Sequence, residues 1–211
     1  MAFIILGLLL VVTGIVAWWV VARNSIPEDR SLIAGTPCGP PCWYGIVPDS
    51  STQEVLDQFL GQKHSLVGEC QKYDHQAVGG YAGILCDRVE FVIEGDVVKR
   101  TIVRPLYSLV LEDVVNKYGP PEFVRAGFQS GPTVTRQAID LYYASQGFSL
   151  HTTKESPFTF VLSEDTKVDI VSYFSPAHFQ KIPFLDPKTI NEARPWHGYG
   201  VYECAGVECP D

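Results

Sequence analysis

Apolar positions recur at helical spacing in two separate segments of the chain, and each segment has its own start and stop signals. The first follows a capping box of sequence STQE, from Ser51 to Glu54, and ends at Gly61. The second begins at Ser108 and ends where Gly119 opens the sequence GPP. The pattern therefore predicts two short helices with comparable ends.

Alternation of apolar and polar residues predicts β-strands after each of these helices. Gly95 and Asp96 separate two of the strands and form a two-residue hairpin signal, in which glycine adopts a positive φ. The predicted strands are residues 66–72, 82–93, 97–104, 122–128, 135–144, 148–153, 158–162 and 168–174.

The repetition of a helix followed by antiparallel strands predicts an α+β fold. We expect an N-terminal transmembrane helix followed by two helix-plus-antiparallel-sheet units, which form a candidate tandem repeat. The predicted organisation is a membrane anchor at 1–22, a stem with a cysteine clamp at 23–45, a first helix-sheet unit at 46–105, a second at 106–176, and a tail rich in Pro, Gly and aromatic residues at 177–211.

The helical segments STQEVLDQFLG and SLVLEDVVNKYGPP carry a resemblance to a known family. They resemble the Ser/Thr-x-x-Glu-Val-x-x-x-Leu-Gly-x-Pro signature of the small lipoprotein of the outer-membrane barrel-assembly machinery. Their repetition is similar to the related tandem-repeat fold of β-lactamase inhibitory protein. The resemblance implies helices on one face of a small antiparallel sheet and a function in binding other proteins.

Residues 2–22 form an uninterrupted run without a charged side chain. As a helix of about 21 residues they would rise about 32 Å, which is enough to cross a bilayer core. Trp18 and Trp19 lie near the end of the run, where aromatic rings favour the headgroup region. We expect an uncleaved single-pass anchor, and a signal peptide cleaved after Ala22 is the alternative.

Cysteine content and charge predict the compartment and exclude one class of partner. All 6 cysteines follow the apolar run, and an even number is typical of an oxidising compartment, so we expect residues 23–211 on the extracytoplasmic side. The absence of an Asn-x-Ser/Thr sequon favours a bacterial cell envelope. A net charge of −8 without a basic cluster excludes binding to nucleic acid.

The segment from Cys38 to Cys42 reads CGPPC, one proline longer than the reactive loop of thioredoxins. A reactive dithiol needs a helix N-terminus at its first cysteine, and Gly45 and Pro48 disfavour a long helix there. Copper-delivery proteins combine a similar motif with a distant histidine. The histidine candidates are His151, His178 and His197. An extracytoplasmic thiol-redox or copper-handling protein is thus the alternative function.

Structural disulfides account for all the cysteines. Cys70 and Cys86 fall on adjacent predicted strands, and a bridge that closes a loop of this size contributes about 3 kcal/mol. We favour this pair together with two local pairs, Cys38–Cys42 and Cys204–Cys209. Crosswise pairing of the tail with the stem stays open, since six cysteines allow about 15 connectivities.

The sequence carries none of the nucleophile, zinc-protease or phosphate-loop motifs, so we expect a protein that is not an enzyme and uses no cofactor and no metal. Five aromatic residues form a candidate contact patch, although packing between the units and the tail also explains them. They are Trp43, Tyr44, Trp196, Tyr199 and Tyr202.

The features together predict a membrane-anchored extracytoplasmic protein that binds another protein or acts as an accessory subunit of a membrane complex. A sensor or ligand-binding ectodomain is a third possibility, which would require a cytoplasmic domain in the same chain.

Overall fold

The computed structural model describes residues 31–35, 37–75, 81–105, 107–130, 135–154, 160–181 and 192–203. The helices are α1 (Ser31–Ala34), α2 (Gln53–Gln62), α3 (His64–Val67) and α4 (Leu111–Tyr118). The strands are β1 (Cys70–His75), β2 (Tyr81–Cys86), β3 (Val89–Glu94), β4 (Val97–Val103), β5 (Phe123–Ser130), β6 (Thr135–Tyr143), β7 (Phe148–Lys154), β8 (Phe160–Leu162), β9 (Ile170–Phe174), β10 (Arg194–Pro195) and β11 (Gly200–Tyr202). Two 3-10 segments, Ala144–Gln146 and Pro176–Lys181, complete the described elements.

Nine of the strands form one antiparallel sheet in the order β1-β2-β3-β4-β9-β7-β6-β5-β10. The predicted α+β fold of two helix-plus-sheet units is therefore wrong: the structure is mostly antiparallel sheet, with 44% strand against 23% helix. The two predicted units merge because β4 pairs with β9, Arg100 opposite Phe174 and Val103 opposite Val171. Through this pairing, strands from 46–105 and from 106–176 belong to a single hydrogen-bonded sheet.

Among the described residues, no helix is both long enough and apolar enough to cross a membrane. The structure thus gives no support to the transmembrane helix of the predicted fold class. The segment on which that prediction rests, residues 2–22, lies outside the described residues.

Helices α2 and α4 cover the same face of the sheet. Phe59 of α2 lies 6.3 Å from Phe91 of β3, and Tyr118 of α4 lies 5.1 Å from Phe148 of β7, ring centre to ring centre. Phe91 and Phe148 belong to one cross-strand row, since both are linked through the register of β4 and β9. Burial of this row under the helices gives one continuous hydrophobic core.

The N-terminus of α2 differs in detail from the predicted capping box. Thr52 is the N-cap, and its Oγ1 accepts a hydrogen bond from the Val55 N–H at 3.4 Å. The Ser51 hydroxyl is turned to the preceding loop, where it accepts from the Val47 N–H at 2.9 Å. The helix is where the pattern predicts it, with a neighbouring residue in the capping role.

Helix α4 begins at Leu111 and not at the expected Ser108. The backbone N–H groups of Leu111 and Glu112 donate to the carbonyl oxygens of Thr166 and Glu164, at 2.9 and 3.0 Å. The turn between β8 and β9 therefore satisfies N–H groups that a side chain would otherwise have to cap. This contact also fixes that turn against the helix.

Two strand predictions are wrong near Cys70 and Cys86. The first two residues of the predicted strand 66–72 belong to helix α3, and β1 begins only at Cys70. The predicted strand 82–93 is two strands, β2 and β3, separated by a turn at Asp87. Asp87 exchanges hydrogen bonds with the backbone of Glu69, through its own N–H and through its carboxylate, each at 3.1 Å. That long-range pair holds the turn.

Candidate interaction surface

Cys38 and Cys42 are joined by a disulfide, with their Cα atoms 5.7 Å apart. The chain after Cys42 makes a tight turn, and the next helix begins only at Gln53. Helix N–H groups that would stabilise a thiolate are therefore absent from this part of the described chain. The loop instead places the Trp43 side chain, 0% exposed, in the core.

The expected disulfide bonding is confirmed at two pairs. Besides Cys38–Cys42, Cys70 of β1 is bonded to Cys86 of β2, and the two residues lie directly opposite each other in the strand register. Cys204, expected to pair with Cys209, lies with that partner outside the described residues.

The candidate copper-binding histidines do not gather around the first disulfide in the described structure. His151 Nδ1 lies 2.7 Å from a carboxylate oxygen of Asp140, and the His197 ring stacks on Tyr202 at 4.1 Å. The side chain of His178 lies outside the described part of the chain. Within the described residues, no three His, Cys, Asp or Glu side chains come together in a group that could hold a metal ion.

The five candidate patch aromatics divide into two clusters. Trp43 and Tyr44 make an edge contact at 5.1 Å, and Trp43 also contacts Phe59 of α2, so this cluster belongs to the core. The second cluster is near the chain end and contains Trp196, Tyr199 and Tyr202. Tyr202 is buried and Trp196 half-buried, while Tyr199 is exposed. Of the predicted patch, Tyr199 is thus the residue most available to a partner.

The C-terminal cluster is held in place by the edge of the main sheet. Strand β10 pairs with β5, and the Trp196 N–H donates to the Glu122 carbonyl at 3.3 Å. Arg125 of β5 contacts Glu192 at 3.1 Å and Asp140 of β6 at 3.6 Å. These contacts fix residues 192–196 against the edge of the main sheet.

Asp140 links this network to His151 on β7. Burial lowers the pKa of His151, but the hydrogen bond to Asp140 and the charges of Asp140 and Asp169 outweigh burial and the nearby Arg100, so its pKa is raised above the ordinary value. The interaction with Asp140 therefore favours the protonated form of the imidazole. Its role in the described structure is to hold strands together on the face opposite the helices.

Strands β8 and β11 form a separate two-stranded ribbon with an exposed apolar surface. Val161 and Val201 are directly paired across it, and their exposed fractions are 39% and 58%. Tyr199, 37% exposed, precedes β11. We call these three residues the ribbon patch. The only other large apolar side chain exposed among the described residues is Val55 on α2, so exposed apolar surface concentrates on the ribbon.

The surroundings of the ribbon patch are acidic on the side of α4. Partial burial, followed by the charges of Glu164 and Glu112, raises the pKa of Tyr199 above its ordinary value. Its hydroxyl therefore stays protonated at neutral pH and is able to donate a hydrogen bond. The patch thus combines two valines with a phenol next to carboxylates.

A cavity of about 310 Å³ adjoins the ribbon patch through Val161. Its described lining comes from β6, β7, β8 and the turn that precedes β9. Gln137 and Thr152 of this lining are buried, at 2% and 6% exposure, and the Gln137 Nε2 has no hydrogen-bond partner among the described residues. The cavity wall therefore contains a donor that is buried and unsatisfied.

Comparison with known proteins adds no relative: no family model, no curated protein and no solved structure matches the chain. The resemblance of the two helical segments to the assembly-machinery lipoprotein and to β-lactamase inhibitory protein stays a prediction.

Sequence reasoning missed the ribbon patch and the cavity. Val161 lies in the predicted strand 158–162, but nothing local indicates that this strand pairs with the segment around Val201 and leaves both valines exposed. Gln137 lies in a strand whose alternation predicts a core-facing position, and a polar residue at such a position was the available signal.

Proposed function

We propose that this chain is a non-enzymatic, extracytoplasmic binding domain that docks a protein partner on the ribbon patch. The observation that carries the proposal is the directly paired, exposed Val161 and Val201 beside the exposed Tyr199. Apolar surface clustered on an otherwise polar exterior is typical of protein contact sites, and tyrosine is enriched at their energetic centres.

The chemistry of the patch defines the partner it would accept. Two valines and a phenol need an apolar contact surface of similar size on the partner. Glu112 and Glu164 beside Tyr199 favour lysine or arginine around that surface. The two disulfides favour an oxidising, extracytoplasmic compartment as the place of this encounter.

Photo-crosslinking from a single position tests the proposal. A photoreactive amino acid replaces Val201 in the full chain, which is produced in its native cells and irradiated. Val55 is the matched control, because it is a valine of similar exposure, 44%, on helix α2. We expect a crosslinked species that contains a second, different protein from position 201 and not from position 55.

A substitution tests the same contact energetically. Val201→Lys places a positive charge on the patch, and we expect roughly tenfold or greater loss of the captured partner, because burial of an unpaired ammonium group beside the basic rim of the partner is costly. Val55→Lys should leave capture unchanged. Equal crosslinking from both positions, or monomer alone from both, contradicts the proposal, and a crosslinked pair of identical chains reassigns the patch to self-association.

A further inference from the structure

The cavity beside the ribbon patch has a defined arrangement of polar and apolar groups. In the β6–β7 register, Gln137 is directly opposite Lys154 and Ile139 is directly opposite Thr152. All four residues line the cavity, and the register places them on the same face as Phe148, which packs under helix α4. Side chains that are directly opposite have Cβ atoms about 5 Å apart, so each pair can act on a single ligand group.

The Gln137–Lys154 pair supplies two kinds of hydrogen-bond donor, an amide N–H and an ammonium group. The Gln137 Nε2 is buried and has no partner among the described residues. Lys154 is exposed and forms no ion pair with a described residue, and Lys167 adds a second ammonium group to the lining. An amide N–H beside an ammonium group matches the two oxygens of a carboxylate, since a charged acceptor makes the stronger hydrogen bonds.

The remaining lining fixes the rest of the ligand. Asp165 is the acidic residue of the described lining, and its carboxylate already accepts a hydrogen bond from the Ser163 hydroxyl at 2.5 Å. The described lining therefore carries two cations against one engaged anion, in a chain whose net charge is −8. Ile139 and Val161 provide the apolar contacts of the cavity.

We propose that this cavity is a binding site for a carboxylate attached to a short aliphatic group. The carboxylate accepts from the Gln137 amide and pairs with Lys154, while the aliphatic part lies against Ile139 and Val161. Two sources share this chemistry: a free small carboxylic acid, or a carboxylate side chain of the protein docked on the ribbon patch. The second source rests on the proposed function, and the first does not.

Titration of the purified chain with butyrate tests the site. Nuclear magnetic resonance follows the side-chain amide signals of Gln137, which shift when the amide gains an acceptor. Butyramide and butylamine have a similar shape but lack the negative charge. We expect butyrate to shift the Gln137 signals to saturation, butyramide to bind roughly tenfold more weakly, and butylamine to cause no shift. Equal binding of butyrate and butyramide overturns the proposal, as does no binding of butyrate.

Substitutions test the contribution of each of the two donors to carboxylate binding. Gln137→Met removes the amide at nearly constant volume and Lys154→Met removes the charge, and each should weaken butyrate binding by roughly tenfold or more. Lys72→Met is the matched control, because Lys72 lies on β1 at the opposite end of the sheet. Isothermal calorimetry gives the affinities. An unchanged affinity in either cavity variant, at unchanged fold, overturns the assignment of that donor.

The two sources are separated by competition. If the docked partner supplies the carboxylate, butyrate lowers the crosslinking yield from position 201, whereas an independent small-molecule site leaves that yield unchanged. Crosslinking from 201 without butyrate binding overturns the cavity proposal alone. Butyrate binding without crosslinking overturns the docking proposal and leaves the free small acid as the ligand.

Discussion

The two ends of the sheet are stabilised differently. The first half, residues 37–103, contains β1 to β4 and both described disulfides, and it surrounds the fully buried Trp43. The second half, residues 107–174 with 192–203, contains the ribbon patch, the cavity and the charged network around Asp140. The same layout of a helix over antiparallel strands thus carries covalent links at one end and most of the described exposed apolar side chains at the other.

The difference indicates where the molecule can interact. Among the described residues, the first half exposes one large apolar side chain, Val55, whereas the second half exposes three. Exposed apolar surface and an unpaired buried amide both lower the stability of the isolated protein, and both are satisfied when something binds. The second half is therefore the place where we expect binding, and the first half is the rigid support.

The largest effect should come from Trp43→Ala. This change removes an indole that contacts Phe59 and Phe91 in the core of the first half, and we expect a loss of about 3–5 kcal/mol in the free energy of unfolding. Urea unfolding at neutral pH measures it. Trp196→Ala, at the half-buried tryptophan of the second half, should cost clearly less. Comparable losses of unfolding free energy in the two variants would contradict the proposed difference between the halves.

The two described disulfides should differ in how much they contribute to the free energy of unfolding. Replacing Cys70 and Cys86 by serine opens the larger loop, with a sequence separation of 16, and should cost about 3 kcal/mol on the chain-entropy estimate. Replacing Cys38 and Cys42, with a separation of 4, should cost about 1 kcal/mol less on the same estimate. Denaturant titration under non-reducing conditions compares the two double variants. Photo-crosslinking from position 201 should survive both, and its loss would show that the halves are coupled.

The smallest effect should be a pH dependence that originates in the second half. Because the pKa of His151 is raised in the folded state, its stabilising contribution is fully present below the unfolded pKa of about 6.5 and is lost as pH rises through the folded pKa. The difference in unfolding free energy between the wild type and His151→Gln should therefore be larger at pH 5.5 than at pH 8.5. Urea unfolding of both proteins at the two pH values measures it.

A control separates this network from other titrating groups. Asp140→Asn removes the carboxylate that raises the pKa of His151, so it should abolish most of the pH dependence assigned to the imidazole. A difference between wild type and His151→Gln that grows with pH would contradict the assignment, because it would mean that the neutral ring is the stabilising form.

Local patterns predicted the parts of the fold that depend on nearby residues. The Gly95-Asp96 hairpin is present, and both residues have positive φ values, 56° and 72°. Helix α2 forms where its spacing predicts it, while its cap moves from Ser51 to Thr52 because the Ser51 hydroxyl bonds Val47. Helix α4 starts later than Ser108 because carbonyl groups more than 50 residues away occupy its first N–H groups. A local sequence pattern contains no information about such distant backbone partners.

The candidate site likewise has features that the sequence predicted and features that depend on distant contacts. The aromatic tail residues and the expected disulfides were visible as residue types, but Trp43 was indistinguishable from an exposed aromatic until its contacts with α2 and β3 were known. Burial depends on which elements pack together, and local sequence patterns do not predict this packing.

By itself, the sequence determined the positions of most helices and strands and the acidic net charge, and it favoured the two cysteine pairs that the structure describes. Only the tertiary structure decided that β4 and β9 join the strands into one sheet, that Val161 and Val201 become exposed neighbours, and that Gln137 is opposite Lys154 in a cavity. The physical reason is the distance along the chain over which each interaction acts. Capping, turns and alternation act over a few residues, whereas strand pairing and burial join residues that the chain keeps far apart.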